Sequence, residues 1–405
     1  MPIRRPRVLV LSRNFPNPAL PTLGIWTARL VQASRSAADP VVVAPVPWVP
    51  AGLPREPFGR YRAVPRSRSD DGVAVYHPRV PQPPGYVLHA LEARAVYPFV
   101  RRIADILHGE RPFDLIHAHF IYPDGVIAAR LGARYGIPVM TTEHAPWLPW
   151  LSDYPRVRRQ VERALPRIRL VTTVSDAVRQ QALEIAHGAT QVAVLPNVVD
   201  DEVFTLATAP RDPNQLVFVG VVRRVKGLDV LVRALALLVT DRPELHLLVI
   251  GNPYYRAYRR DEQAVRRLIG ELHLDDRIRF AGQASPQETA AAVRSSALLV
   301  LPSRRESFGV VVLEALASGT PVVATRCGGP EEILTPDVAH FAPTDDPSAL
   351  ARAISDALDA APSRDPARLR EFAVSRFGRA AVGERIAELY AKVLAPVAET
   401  AGVGA

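Results

Sequence analysis

Short apolar runs recur along this chain with helical stretches between them, and they fall into two separate series. Residues 8–11, 41–44, 115–117, 139–142, 170–174 and 192–195 form the first. Residues 216–220, 246–251, 278–281, 298–301 and 322–325 form the second, after a break. Unbroken apolar runs of this length suit strands buried on both faces, and intervening helices supply the crossovers that parallel strands require. Two series of such units predict an α/β protein with two Rossmann-like, doubly wound parallel sheets. No repeat of about 20–50 residues is visible, which excludes solenoids and propellers.

The 405 residues suffice for two domains of ordinary size. The boundary falls between Pro196-Asn197 and Asn214, where ATAPRDPN has linker composition. Residues 1–198 are therefore assigned to one domain and 199–377 to the other, with a final helix at about 378–398. Residues 45–89 are Pro-rich, carry Trp48, Phe58, Tyr61, Tyr76 and Tyr86, and show little periodicity. They are expected to form a long loop of the functional or mobile kind.

Hydrophobic and charged contents of 48% and 22% describe a soluble globular protein. No apolar run approaches the roughly 20 residues that span a bilayer. The basic start MPIRRPRVLVLSRNF imitates a signal peptide, but its apolar run is too short and reads as a first strand. One cysteine, Cys327, excludes an internal disulfide framework and fits a reducing cytoplasm. It reads as a small residue in a tight turn rather than a nucleophile.

The net charge of +9 is uneven: residues 1–198 hold 25 Arg against 14 acids (+11), and residues 199–405 hold 25 Lys or Arg against 27 acids (−2). No zinc-binding spacing or RNA-recognition signature accompanies the basic half, so nucleic acid is not expected as a partner. An anionic membrane surface or lipid-linked acceptor fits the asymmetry, as does a coding bias toward Arg. The run from Arg156 to Arg169, beside Trp147 and Trp150, is either a membrane-docking element or a solvated basic helix.

One segment carries the chemistry. An apolar run at 297–301 ends at Pro302-Ser303, and Ser307-Phe308-Gly309 opens a helix bearing Val310, Val311, Leu313, Leu316 and Ala317. A second buried run, 321–325, leads to Gly328-Gly329. Free N–H groups at such a helix start attract phosphate oxygens. Glu306 stands at its mouth, and Glu314 two turns further along. A carboxylate beside a phosphate site makes sense where it accepts hydrogen bonds from hydroxyls, and sugars carry hydroxyls next to phosphate. Solvated helix carboxylates are the plain alternative, weakened for Glu314 by its neighbours Leu313, Ala315 and Leu316.

Lysine is the second signal. Among 50 cations only Lys226 and Lys392 are lysines, and Lys226 directly precedes Gly227 and a helix. A compact ammonium reaches a phosphate where the bulkier guanidinium does not fit. Lys392 lies on a polar face near the C-terminus. Gly220 and Gly251 each end a strand, and Gly251-Asn252-Pro253 is a candidate lining for a nucleobase. Gly24 precedes a helix beginning Ile25-Trp26.

The residues Glu306-Ser-Phe-Gly, Glu314-Ala, Gly319-Thr-Pro-Val-Val-Ala and Gly328-Gly329 with Glu332-Ile333 resemble the donor-binding segment of the retaining glycosyltransferases of family 4, which have the GT-B fold. With VLVLSRNFPNP…LGIW, VVVAPVPWVP, IHAHFIYPDGVIAA, PNVVD and Lys226-Gly227, the resemblance spans nearly the whole chain and looks like the branch that builds surface polysaccharides. It implies two lobes facing across a cleft, an acceptor-binding N-terminal lobe, a donor-binding second lobe, and a last helix that crosses back onto the first. As catalytic residues it implies His144, Lys226 and Glu306. As donor-binding residues it implies Gly24, Gly220, Arg224, Lys226, Gly251, Ser307, Phe308, Gly309, Val310 and Glu314.

The chain departs from the family pattern at four places: Leu23-Gly24 replaces a Gly pair, Val198 stands where Gly is common, the Gly251 loop is short, and Val221 replaces an Arg. Arg223 or Arg224 is a candidate substitute for that last residue. His117 and His119, alternating on one strand, are expected on opposite faces. His144, at the next strand end, is a candidate partner for a sugar hydroxyl or the acceptor; a buried, merely satisfied histidine is the other reading. Ser175 matches a family serine or serves as a helix N-cap.

The activity so implied is transfer of a sugar from a nucleotide diphosphate donor to a hydroxyl acceptor, such as a lipid-linked glycan, with retention. No Asp-x-Asp occurs, so no metal or other cofactor is expected, and the site is expected in the cytoplasm or at the inner membrane face. A nucleotide-sugar epimerase and a non-catalytic component of a polysaccharide assembly complex are the alternatives. A dehydrogenase is not expected, because no Gly-x-Gly-x-x-Gly follows the first strand.

Overall fold

The computed structural model describes residues 4–50, 52, 59–81, 89–145, 151, 153–251 and 259–396. The chain forms two compact units: Met1–Val174 with Val178–Leu195 and Val382–Ala405, and Ser175–Ala177 with Pro196–Ala381.

The first unit runs β1 (Arg7–Leu11), α1 (Ile25–Ser34), β2 (Asp39–Val43), β3 (Val46–Trp48), β4 (Ser67–Asp70), β5 (Val73–Tyr76), β6 (Arg79–Pro81), α2 (His89–Glu110), β7 (Leu115–His119), α3 (Val126–Tyr135), β8 (Val139–Glu143), α4 (Pro155–Ala164), β9 (Leu170–Thr173), α5 (Asp176–Ala186) and β10 (Gln191–Val194). Its main sheet has the order β10-β9-β8-β7-β1-β2-β5-β4. Every pairing is parallel except β4 with β5. Strands β1, β7 and β8 are buried at every position, as unbroken apolar runs between helices require.

The described residues between 45 and 89 are more ordered than their composition suggests. They contain the parallel pair β3–β6 and the antiparallel hairpin β4–β5. The hairpin turns on Asp71 (φ 46°) and Gly72 (φ 82°), the positive angles that a two-residue Asp-Gly turn supplies. Its edge strand, Ser-Arg-Ser-Asp, is polar and alternately exposed, so it carries no apolar signature. Phe58 and Tyr86 lie outside the described residues.

The second unit runs β11 (Asp212–Val219), α6 (Leu228–Leu238), β12 (His246–Ile250), α7 (Arg259–Glu271), β13 (Ile278–Gly282), α8 (Pro286–Ser295), β14 (Ser296–Leu301), α9 (Val310–Ala317), β15 (Val322–Thr325), α10 (Gly329–Ile333), β16 (Ala339–Ala342), α11 (Pro347–Ala360) and α12 (Pro366–Phe377). The sheet order is β13-β12-β11-β14-β15-β16, parallel throughout. Strand β11 begins at Asp212, so the end of the stretch read as a linker is strand. Strand β16 is an addition, too short (Ala-His-Phe-Ala) to announce itself.

The last helix, α13 (Arg379–Leu394), rejoins the first unit from Val382. Val382, Ile386, Tyr390 and Val393 form its buried stripe, and the Tyr390 hydroxyl lies 2.9 Å from His117 Nδ1.

In a doubly wound sheet, ligands collect outside the strand C-termini where the strand order reverses. In the first unit that point lies between β1 and β7; in the second it lies between β11 and β14. The loops after those strands carry Gly24 and the turn at 120–125 in one unit, Lys226 and Glu306 in the other.

Candidate active site

Two loops of the second unit are locked together at its reversal point. After β11 the chain makes a 3₁₀ turn, Arg224–Lys226, and Gly227 (φ 68°) starts α6. A Cβ at Gly227 would lie 1.9 Å from the Pro302 carbonyl oxygen, so only glycine permits this approach of the two loops. Arg304 rivets them. Its backbone N–H donates to Val225 O (2.8 Å), and its guanidinium donates to the Arg224 carbonyl. The same guanidinium makes two 2.8 Å bonds to Asp229 and one of 2.6 Å to Asp345. Sequence reading gave Arg304 no role, because one member of an Arg-Arg pair carries no mark that separates it from a solvated cation.

The lock brings Lys226 and Glu306 together. The ammonium donates to both Glu306 oxygens at 2.7 Å, with the side chains 26% and 13% exposed. Glu306 is fixed from behind: its N–H donates to Cys327 O (3.0 Å) and its carbonyl accepts from Gly329 N (3.0 Å). That places it outside the helix, bridged to Gly328. Cys327 is buried, and burial pushes its thiol up to about 12, which disfavours the thiolate that a nucleophile needs.

Helix α9 starts at Val310 behind Gly309 (φ 90°), whose Cβ position is 3.5 Å from Glu306 Cγ. Its first N–H groups, unsatisfied within the helix, therefore begin beside the ion pair. Ser307 and Val310 are half-buried, whereas the Phe308 ring is buried edge-on against Phe377 at 5.9 Å, leaving only its backbone for a ligand. Glu314 is 7% exposed and lies just over one turn into α9, closer to the helix start than two turns from Glu306 suggested. A carboxylate in an otherwise apolar helix is costly to bury, which sets it apart from a solvated surface acid.

Gly220 and Gly251 meet through their backbones: a Cβ at Gly251 (φ 138°) would lie 1.9 Å from Gly220 O. Asn252 and Pro253 lie outside the described residues. The Arg224 N–H donates to Asp261 (2.9 Å), and its side chain is exposed. With Arg223, Asp229 and Asp261 it lines a cavity of about 390 Å³ whose walls include neither Lys226 nor Glu306.

In the first unit Gly24 (φ 66°) starts α1, and a Cβ there would fall 1.8 Å from Asn14 O. His144 follows β8, is 7% exposed, and its Nε2 lies 2.9 Å from His119 Nδ1. The rings of Trp26 and Phe120 stand near it, with centroids at 6.2 Å and 5.3 Å. His117 and His119 do not face opposite ways: their rings stack at 4.6 Å. Residues two apart on a strand share a face, so the expectation misapplied the period. His117 is structural, bonded to Tyr390 and Thr142, and burial drives its imidazole down to about 3. Ser175 is buried immediately before α5. Trp147 and Trp150 lie outside the described residues. Among the described residues no helix is long and apolar enough to cross a membrane.

Comparisons with known proteins bear on the family and the fold. The family described as Glycosyltransferase Family 4 matches residues 23–203, and Glycosyl transferases group 1 matches residues 201–374. A D-inositol 3-phosphate glycosyltransferase of Thermobispora bispora is 30% identical over 72% of this chain and 74% of its own length. Among solved structures, a sucrose-phosphate synthase of Thermosynechococcus elongatus superposes with a TM-score of 0.76 at 21% identity, over 96% of this chain and 99% of the other. An Anabaena protein, HepE, solved in complex with UDP-glucose, gives 0.72 at 18% identity, over 96% and 100%. The fold is that of a GT-B glycosyltransferase. The chain belongs to glycosyltransferase family 4.

Proposed function

We propose that this chain moves a glycosyl group from a nucleoside diphosphate sugar to a hydroxyl acceptor, with retention of anomeric configuration and without a metal. The observation that carries the reading is the Lys226–Glu306 pair, set beside the start of α9 at the reversal point of the second sheet. Lys226 and the N–H groups of Ser307–Val310, which lead into α9, hold the diphosphate. Glu306 accepts from sugar hydroxyls, and Glu314 from the ribose. Gly220 and Gly251 let the backbone approach the nucleotide; Arg224 supplies a further cation.

Gly24 and His144 take the parts that the family resemblance implies, a backbone contact to phosphate and a hydrogen bond to a hydroxyl of the transferred sugar. In the reaction the acceptor oxygen bonds to the anomeric carbon as the bond from that carbon to the diphosphate breaks. The departing diphosphate takes the acceptor's proton, so no enzyme nucleophile is needed. Fixed positive charge near the leaving oxygens stabilises the charge that develops there.

Support for a nucleotide donor comes from the structural neighbour crystallised with UDP-glucose, and for a hydroxyl acceptor from the relative named for D-inositol 3-phosphate. The acceptor we favour is a lipid-linked glycan or polysaccharide precursor met at an anionic membrane. Arg156, Arg159, Arg163 and Arg167, exposed on and just after α4, are the basic surface that suits it.

The test is a thermal-shift screen of nucleotide sugars, since a ligand that binds only the native state raises its melting point. Transfer to inositol 3-phosphate and to lipid-linked acceptors is then followed, with the product's anomeric configuration read by NMR. A donor that stabilises the protein and is turned over only with acceptor supports the reading. Conversion of the donor's sugar without acceptor points to an epimerase instead, and stabilisation with no turnover on any acceptor to a binding component. Equal pelleting of wild type and an Arg156/Arg158/Arg159 triple Ala variant with acidic vesicles removes the membrane element alone.

A further inference from the structure

Glu143 is the last residue of β8 and is only 3% exposed. Its oxygens are aimed at backbone. Oε1 accepts from His144 N at 3.0 Å and from Ala145 N at 2.9 Å, and Oε2 accepts from Ile121 N at 2.9 Å. One carboxylate therefore closes the turn after β8 and ties it to the turn after β7. The second turn is itself shaped tightly: Phe120 has φ 74°, donates to Thr142 O at 2.7 Å and accepts from Gly125 N at 3.0 Å.

A buried carboxylate costs free energy that paired charges or hydrogen bonds must offset. Three N–H donors converge on this one, and an ionised carboxylate is the only side chain of this shape with acceptors alone. A glutamine would turn an NH₂ group toward at least one of the three N–H groups. The neighbours of the clip are His144 of the proposed site, next in sequence, with His119 bonded to it at 2.9 Å and Phe120 beside it. Nothing in the sequence-derived site includes Glu143, although a charged residue ending the apolar run Val-Met-Thr-Thr was the available signal.

We propose that Glu143 is a positioning residue for glycosyl transfer, its carboxylate fixing the backbone from His144 to Ala145 so that the His144 imidazole is held in one orientation against His119. This rests on the reading of His144 given above. It makes Glu143 act only through that histidine, while the donor's diphosphate is held by the second unit.

The experiment is a double-mutant cycle on the full chain, using Glu143→Gln, His144→Ala and the double variant, with the donor identified by thermal shift. Glu143→Gln should lower kcat by about 100-fold, the scale of an ångström-sized misplacement, while donor KM stays within about twofold. The double variant should be no slower than His144→Ala. A Glu143→Gln enzyme with wild-type kcat overturns the proposal, as does a loss that adds in full to that of His144→Ala.

If His144→Ala alone runs at the wild-type rate, the role of His144 falls and the positioning role falls with it. Donor binding at Lys226, tested separately by Lys226→Ala, is untouched by that outcome. Should Glu143→Gln melt early, Glu143→Asp retracts the same charge by one methylene. The same non-additive loss then supports the proposal, and full activity overturns it.

Discussion

At the reversal point of the second unit, an ammonium and a carboxylate on neighbouring loops are partly exposed and bonded to each other. At the corresponding point of the first unit Arg13 and Glu92 also form a side-chain pair, but two further acids, Asp124 and Glu143, are each 3% exposed and bonded to backbone N–H groups. Asp124 accepts from Arg13 N at 3.0 Å, joining the loop after β1 to the turn after β7, much as Glu143 joins that turn to the one after β8. The physical difference is what each charge can still do. The Lys226 and Glu306 side chains, 26% and 13% exposed, can change partners by rotating alone, without moving the backbone. A carboxylate sealed against three amides cannot change partners without deforming the chain. On the proposed function, Lys226 and Glu306 can turn to a ligand, whereas Asp124 and Glu143 shape loops.

The largest break in that comparison comes from Lys226→Ala. Turnover should fall by about 10²–10³, the loss expected for one preorganised donor to a developing anion, with the melting curve preserved. Lys226→Arg should recover little of it, because the guanidinium does not present a compact charge. Unchanged transfer in Lys226→Ala would dissolve the contrast.

Next come the glycines that start the helices in both units. Gly24→Ala and Gly227→Ala each force alanine into a left-handed backbone, at about 1–2 kcal/mol, and place a methyl within 2 Å of a carbonyl oxygen, at 1.8 Å and 1.9 Å. Both should lose at least about 2 kcal/mol in denaturant unfolding. A neutral result at either position means that its loop is free to move.

A smaller effect is a pH dependence that belongs to the first unit. Burial pushes Glu143 up from 4.5 to about 7 and Asp124 from 3.8 to about 6. Between those limits the folded chain holds more protons than the unfolded one, so these two acids make stability fall as pH rises from about 4 to about 7, and contribute a constant cost above. Glu143→Gln should therefore flatten the decline of melting temperature across pH 5–7; an unaltered slope contradicts the burial argument. The smallest effect is none at all: excess EDTA should leave transfer unchanged, and a loss restored by a divalent cation would show that the ammonium and helix start do not suffice.

Much of this was legible in the residues. The apolar runs lay on the strands, because a strand covered on both faces must be apolar throughout, and Lys226, Glu306 and Glu314 stood out as residue types that the surrounding pattern does not explain. The β4–β5 hairpin was missed because its edge strand is polar, although Asp71-Gly72 was a turn signal in plain view. The stacking of His117 on His119 was misread through a wrong period. Arg304 and Asp124 gave little sign of their roles, since partners 75 and 111 residues away in sequence define them, and Glu143 bonds only backbone N–H groups, which carry no residue-type signal.

The central claim is that Lys226 meets the donor's diphosphate, and the chain offers a direct way to see it, because Lys226 and Lys392 are its only lysines. With side-chain-labelled lysine, NMR of the protein should show two ammonium-bearing side chains, assigned by Lys226→Arg. Adding a nucleotide sugar that raises the melting temperature should move the Lys226 resonance and leave Lys392 in place. A saturating donor that leaves both resonances unmoved would contradict the account.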